Sequence, residues 1–90
     1  MLNRGVVLEQ LGAFDAAIAD YNAVLAVSPG DPAAWNNRGN ARMGALDFKG
    51  AAEDYGRATQ LAPAFAFAAA NRSIALYAAG AFALISAALI

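Results

Sequence analysis

Three arginines and two aspartates recur at a fixed interval along the chain. Arg4, Arg38 and Arg72 stand thirty-four residues apart, and Asp20 and Asp54 each follow an arginine by sixteen residues. Arginine and carboxylate side chains form strong hydrogen bonds, and both occur in catalytic sites. A catalytic site needs several groups that converge in one cleft, whereas these residues recur as a ladder. The spacing therefore predicts structural ion pairs rather than catalysis.

Two pairings of these residues fit the spacing. If each aspartate meets the arginine of its own unit, Arg4 pairs with Asp20 and Arg38 pairs with Asp54. If each aspartate meets the arginine of the next unit, Asp20 pairs with Arg38 and Asp54 pairs with Arg72. We favour the second arrangement. The contribution of such a pair to stability depends on how much desolvation of the charges costs.

The chain lacks the side chains on which most protein chemistry depends. It contains no cysteine and no histidine, which removes disulfides, thiolate and imidazole metal ligands and the commonest general base. Its serines have no histidine to activate them, and no phosphate-binding loop is visible. The formal net charge of -1 gives no field that would recruit nucleic acid. The composition predicts a protein without enzymatic activity, cofactor, metal or nucleic-acid partner.

The thirty-four-residue interval extends to many other positions. Asn-Arg-Gly at 3–5 recurs at 37–39 and as Asn-Arg-Ser at 71–73, and Gly-Ala-Phe at 12–14 recurs at 80–82. Within each unit the apolar residues have helical spacing, with a turn between two helices. The turn falls at Gly12-Ala13 in the first unit, and the repeat predicts the same turn at Gly80-Ala81. The pattern predicts antiparallel helix pairs.

The second unit carries the clearest helix boundaries. Asp31 followed by Pro32 predicts an N-cap and a first helical residue, and this helix should run to Met43. Asp47 should cap a second helix over residues 48–61. Gly39 and the small residues opposite it should allow the two helices of the unit to cross closely.

This unit resembles the tetratricopeptide repeat family. The residues that carry the resemblance are Trp35, Gly39, Ala51, Tyr55, Ala58 and Pro63. The resemblance implies an all-α fold of antiparallel helix-turn-helix repeats stacked as a right-handed α-solenoid, with about two and a half repeats of 34 residues. The segment 1–90 would hold a partial repeat (1–31), a repeat (32–65) and a truncated repeat (66–90). We expect the array to continue beyond both ends of the chain.

The resemblance also implies a function and a face. In this family the first helices of successive repeats line a concave groove that binds another protein. The expected partner-binding residues are Asn36, Asn37, Asn40, Met43, Phe67, Asn71, Ile74 and Tyr77. The asparagines could hydrogen-bond an extended peptide, or they could bond neighbouring helices and water, and both alternatives remain open. The structural residues are expected to be Asp20, Trp35, Arg38, Gly39, Asp54 and Arg72.

The C-terminal segment supports an alternative function. Residues 74–90 contain no charged side chain, although a membrane span needs about 20 apolar residues and Gly80 interrupts the run. An apolar surface of this size seldom faces water, so residues 64–90 could embed the protein as a structural subunit of a larger complex. The alanine-rich repeat is similar to those of cyanobacterial and plastid proteins. That similarity implies a membrane-bound photosynthetic complex, with the cytoplasm or a thylakoid-associated plastid site as the compartment.

A third hypothesis is that the repeats are the docking arm of an enzyme whose catalytic domain lies outside this segment.

Overall fold

A computed structural model describes residues 12–63 and 66–89, except for the side chains of residues 66–69, 86 and 89. These residues form helices α1 (Phe14–Val27), α2 (Pro32–Gly44), α3 (Phe48–Leu61) and α4 (Ala66–Leu89), and no strand occurs among them. The predicted all-α fold is therefore confirmed. The first eleven residues, and with them Arg4, lie outside the described part of the chain.

The predicted caps of the second unit are confirmed. The Asp31 carboxylate accepts a hydrogen bond of 3.0 Å from the amide of Ala33, and α2 begins at the proline between them. The Asp47 carboxylate accepts one of 3.0 Å from the amide of Gly50 at the start of α3. Each aspartate satisfies an amide that the first turn of a helix leaves without a backbone partner. Helix α2 ends one residue later than predicted, at Gly44.

Each helix packs against the next one along the chain, around a core of small residues. One buried cluster, between α1 and α2, contains Ala17, Tyr21 and Ala41. A second cluster, shared by α2, α3 and α4, contains Ala51, Ala52, Tyr55 and Ala75, with Met43 packed against it. Alanine side chains allow helix axes to approach closely, but each one buries little apolar surface.

Helices α2 and α3 approach each other closely at Gly39. A Cβ atom placed there would lie 2.7 Å from Cε1 of Tyr55, which is closer than van der Waals contact allows. The Tyr55 ring is buried, and its hydroxyl donates a hydrogen bond to Asn40, so the ring has little freedom to move away. The absence of a side chain at position 39 therefore allows α2 and α3 to cross this closely.

Helix α4 differs from the expectation for the third unit. The repeat predicts a turn at Gly80-Ala81, but α4 continues through both residues to Leu89. The aspartate that caps α3 has Ala81 as its counterpart, so a side-chain cap for a new helix is missing. Most residues around Gly80 are good helix formers, chiefly alanine. The prediction of a turn here is wrong for the described chain.

The second half of α4 packs back on α3 through an aromatic pair. The rings of Phe48 and Phe82 lie 5.8 Å apart at an interplanar angle of 67°, an edge-to-face arrangement. Because Phe48 is the first residue of α3, this pair connects the far half of α4 to the start of α3. None of the helices in the described segments has the length and apolar character required to cross a membrane.

The substitution Gly39→Ala tests the close crossing. Overpacking against Tyr55 should lower the free energy of unfolding by about 1–3 kcal/mol. The better helix propensity of alanine should offset up to about 1 kcal/mol of this loss. Urea unfolding followed by circular dichroism measures the change. The matched control is Gly30→Ala, where the added Cβ meets nothing within 4 Å; it should change the free energy by less than about 0.5 kcal/mol. Equal effects of the two substitutions would contradict the assignment.

Candidate functional site

A buried ion pair joins α2 to α3. Only 1% of the Asp54 side chain is exposed. Arg38 donates to both of its carboxylate oxygens, from Nε at 2.9 Å and from Nη2 at 2.7 Å. Arg42 Nη1 donates to the same two oxygens at 3.2 Å. Two guanidinium groups thus compensate one buried carboxylate, as a buried charge requires.

This geometry decides between the two pairings for Asp54. The carboxylate meets Arg38 of its own unit, so the favoured pairing of Asp54 with Arg72 is wrong. The reason is that α2 and α3 are antiparallel and lie close together, which places Arg38 and Arg42 opposite Asp54. Arg72 is exposed instead and lies over Gly56, whose Cβ, if present, would be 3.3 Å from its Nε.

The pairing of Asp20 stays a prediction. Asp20 is the counterpart of Asp54 in the first unit, so the same geometry would pair it with Arg4, which lies outside the described residues. Arg38, the partner that the favoured arrangement assigned to Asp20, is held by Asp54 through its Nε and Nη2.

Arg38 also connects the hairpin to α1. Its Nη1 donates a hydrogen bond of 2.8 Å to Oδ1 of Asn22, and its guanidinium lies 4.8 Å from the centre of the Trp35 ring. A second guanidinium, that of Arg57, lies 5.9 Å from the same ring. The indole N–H donates to the carbonyl of Pro29 at 2.8 Å. Arg38 and Trp35 therefore hold α1, α2 and the turn between them together.

Two of the predicted partner-binding asparagines bond to neighbouring helices. Asn36 is 4% exposed and accepts a hydrogen bond of 3.5 Å from Nδ2 of Asn71 on α4. Oδ1 of Asn40 accepts one of 2.6 Å from the hydroxyl of Tyr55 on α3. These two asparagines therefore link neighbouring helices, which is one of the two alternatives left open by the sequence. Asn37 is half-buried and makes no side-chain hydrogen bond with the rest of the described chain.

The other predicted partner-binding residues divide into packed and exposed ones. Met43 is half-buried against the alanine and tyrosine cluster of α3. Ile74 and Tyr77 on α4 are 58% and 80% exposed. The side chain of Phe67 is not among those described. The predicted face is therefore open at α4 and largely packed at α2.

Exposed apolar side chains continue along α4 beyond the predicted set. Leu84 and Ile85 are both more than half exposed, and with Ile74 and Tyr77 they lie on one side of the helix, given 3.6 residues per turn. We call these four residues the α4 apolar face. Leu84 and Ile85 are not among the predicted partner-binding residues, but they belong to the uncharged segment 64–90 on which the structural-subunit alternative depends.

A groove between α3 and α4 collects polar side chains on another side. It has a volume of about 540 Å³. Five polar or charged side chains line it, together with three smaller or apolar residues: Lys49, Glu53, Arg57, Gln60 and Arg72, with Ala52, Gly56 and Leu76. No group of three acidic, histidine or cysteine residues that could hold a metal ion occurs within the described ranges.

Two family models match this chain. A model described as TPR repeat matches residues 2–44, and one described as Tetratricopeptide repeat matches residues 32–65. Together they span residues 2–65, well over half of the 90-residue chain. The chain belongs to the tetratricopeptide repeat family. Members of this family typically serve as non-enzymatic scaffolds for protein–protein interaction.

A double-mutant cycle tests the ion pair. Replacing Asp54 by Asn leaves two arginines without their buried counter-charge, and we expect a loss of about 3 kcal/mol in the free energy of unfolding. The cycle with Arg38→Gln should give a coupling energy of about 1–3 kcal/mol, measured by urea unfolding. The matched cycle with Arg72→Gln should give a coupling near zero. A larger coupling to Arg72 than to Arg38 would restore the next-unit pairing.

Proposed function

We propose that this protein is a binding module that holds another protein along the side of α2 and α4 on which the predicted partner-binding residues lie. The observation that carries the proposal is the exposure of Ile74 and Tyr77, two large side chains on α4, the helix that packs against α3. Binding would proceed without any chemical step. The partner would bury the tyrosine ring and the neighbouring isoleucine.

The hydrogen bonds behind this surface support the proposal. The bond between Asn36 and Asn71 joins α2 to α4, and the bond between Asn40 and Tyr55 joins α2 to α3. They limit the relative movement of the three helices, so the surface would exist before the partner arrives. A preorganised surface loses less conformational entropy on binding, which favours affinity.

The chemistry of the exposed side chains indicates the kind of partner. Tyrosine is enriched at energetically important interface positions, because it buries a large apolar area and its hydroxyl can still form a hydrogen bond. Ile74 adds apolar area, and Asn37 offers an amide donor and acceptor at the edge. A partner segment with apolar side chains fits this surface better than an acidic tail.

The α4 apolar face favours a second candidate, a structural subunit held permanently in a larger assembly. Its exposed leucine and isoleucine side chains at positions 84 and 85 extend the apolar surface past the region expected for a peptide groove. Such a surface is typical of an interface that is always covered. A membrane-bound photosynthetic complex remains a hypothesis that rests on the style of the repeat.

Site-specific photocrosslinking in cells tests the proposed function. A photoreactive phenylalanine analogue at position 77 should crosslink to a protein partner, identified by mass spectrometry, because this position is 80% exposed on the proposed surface. The matched control is position 27, also an exposed apolar side chain, at 85%, but at the end of α1.

Crosslinks at position 77 and none at position 27 would support the proposal. Equal yields at the two positions, or no product at position 77, would contradict it. A product that forms only when the cells' membranes are intact, and always in the same stoichiometry, would favour the structural-subunit candidate.

A further inference from the structure

A continuous groove runs along the contact between α3 and α4. It consists of three adjoining cavities with volumes of about 540, 400 and 240 Å³. The first two share Gly56, Gln60 and Arg72, and the first and the third share Lys49. We call the three together the α3–α4 groove. On α4 it extends over residues 72–83, which is room for about three turns of a helix laid alongside.

The equivalent place in the second unit is filled by α3. Arg38 on α2 lies where three helices meet, because it donates hydrogen bonds both to Asn22 on α1 and to Asp54 on α3. Thirty-four residues later, Arg72 lies over Gly56, the counterpart of Asn22. Two of the three helices are thus present at Arg72 in the same relation. The counterpart of α3, the third helix, would lie in the α3–α4 groove.

The C-terminal residues of this chain do not supply that third helix in the described structure. They extend α4 instead, which continues without a break to Leu89. Among them the counterpart of Asp54 is Ala88, and residues 82–90 carry no charge at all. A carboxylate that meets Arg72 as Asp54 meets Arg38 therefore cannot come from this segment, even if the segment folded back into the groove.

The α3–α4 groove has an excess of positive charge. Its cations are Lys49, Arg57 and Arg72, and its carboxylates are Asp47 and Glu53. The Asp47 carboxylate is already engaged, since it caps α3 and lies 3.8 Å from a guanidinium of α2. Within the described ranges none of the three cations takes part in an ion pair. The groove is therefore complementary to an occupant with acidic side chains.

The end of the groove farther from Arg72 is mainly apolar. The apolar side chains that line this end come from α4 and from the start of α3: Leu46, Phe48, Ala79, Phe82 and Ala83. Leu46 and Phe82 are more than half exposed, so an occupant would bury them. A helix that fits the whole groove carries apolar residues at one end of its contact face and a carboxylate two to three turns away.

We propose that the α3–α4 groove binds an amphipathic helix of another protein, with a carboxylate that pairs with Arg72 as Asp54 pairs with Arg38. Helices laid into grooves in this way are a recurrent mode of recognition between proteins. The groove and the α4 apolar face lie on roughly opposite sides of α4, given 3.6 residues per turn. The protein therefore has a second binding surface, separate from that of the proposed function.

The requirement for a carboxylate follows from burial. A helix in the groove removes the Arg72 guanidinium from water, and a buried charge without a counter-charge is costly. In the second unit two arginines surround Asp54, whose side chain is only 1% exposed. Leu76 stands where the second of these, Arg42, would be in the third unit. A single carboxylate opposite Arg72, beside the apolar Leu76, is therefore the arrangement that selects the partner.

Photocrosslinking from inside the groove, combined with charge reversal, tests the proposal in cells with the full-length protein. A photoreactive phenylalanine analogue at position 76 should crosslink to a partner segment with an aspartate or glutamate close to the crosslinked residue, identified by mass spectrometry. Arg72→Glu should lower the yield by about tenfold or more, because it places two carboxylates together. Replacing the partner's carboxylate by arginine should restore the yield with the Arg72→Glu protein.

The neighbouring position 77 is the matched control. It lies about 100° further around α4, on the α4 apolar face. Crosslinks from position 77 should be unchanged by Arg72→Glu, so the two surfaces are tested separately. Arg72→Gln, which removes the charge without reversing it, should lower the yield from position 76 by less than Arg72→Glu does. Circular dichroism establishes that both variants keep their helix content.

Each of three results would overturn the proposal. The first is the absence of a product from position 76, or a yield that Arg72→Glu leaves unchanged. The second is a crosslinked segment without a carboxylate. The third is a crosslink within one chain from position 76 to residues 82–90, which would mean that α4 bends at Gly80 and fills its own groove. In all three cases the crosslinks from position 77 decide the proposed function independently.

Discussion

The close approach of α2 and α3 is the constraint on which the rest of the described structure depends. It requires a residue without a side chain at position 39, because the Tyr55 ring occupies the space beside it. At that separation Arg38 and Arg42 can reach both oxygens of Asp54, and the Tyr55 hydroxyl can reach Asn40. These polar contacts form because the two helices pack closely. The contacts in turn fix the geometry of the crossing, since a wider or shifted crossing would leave a buried carboxylate without partners.

Much of the fold could be predicted because the signals are local. Asp31 and Asp47 act on amides two or three residues away, and the turn and helix patterns of the second unit depend on near neighbours. The third unit could not be predicted in this way. Residues 12–14 and 80–82 are identical, yet the first three lie where a turn ends and α1 begins, and the other three lie within α4. Identical local sequence cannot decide between these states, so the surroundings must.

The candidate site shows the same division. The residue types in the ladder predicted an ion pair correctly, but both pairings fit the spacing, and only the separation of α2 and α3 selects Arg38 for Asp54. The sequence alone allows Asn36 and Asn40 to bind either a peptide or a neighbouring helix. The hydrogen bonds to Asn71 and Tyr55 show that they bind neighbouring helices. Leu84 and Ile85 lie exposed on the second half of α4, and the repeat did not predict that this helix continues past Gly80.

Amide hydrogen exchange, followed by mass spectrometry, tests most directly whether the hairpin of α2 and α3 is the stable core and α4 the element that needs a partner. The account predicts that peptides from α2 and α3 exchange slowly, while those from residues 72–85 exchange markedly faster in the absence of a partner. If peptides from α4 exchanged as slowly as those from α2 and α3, α4 would be fully stabilised within one chain. That result would contradict the account.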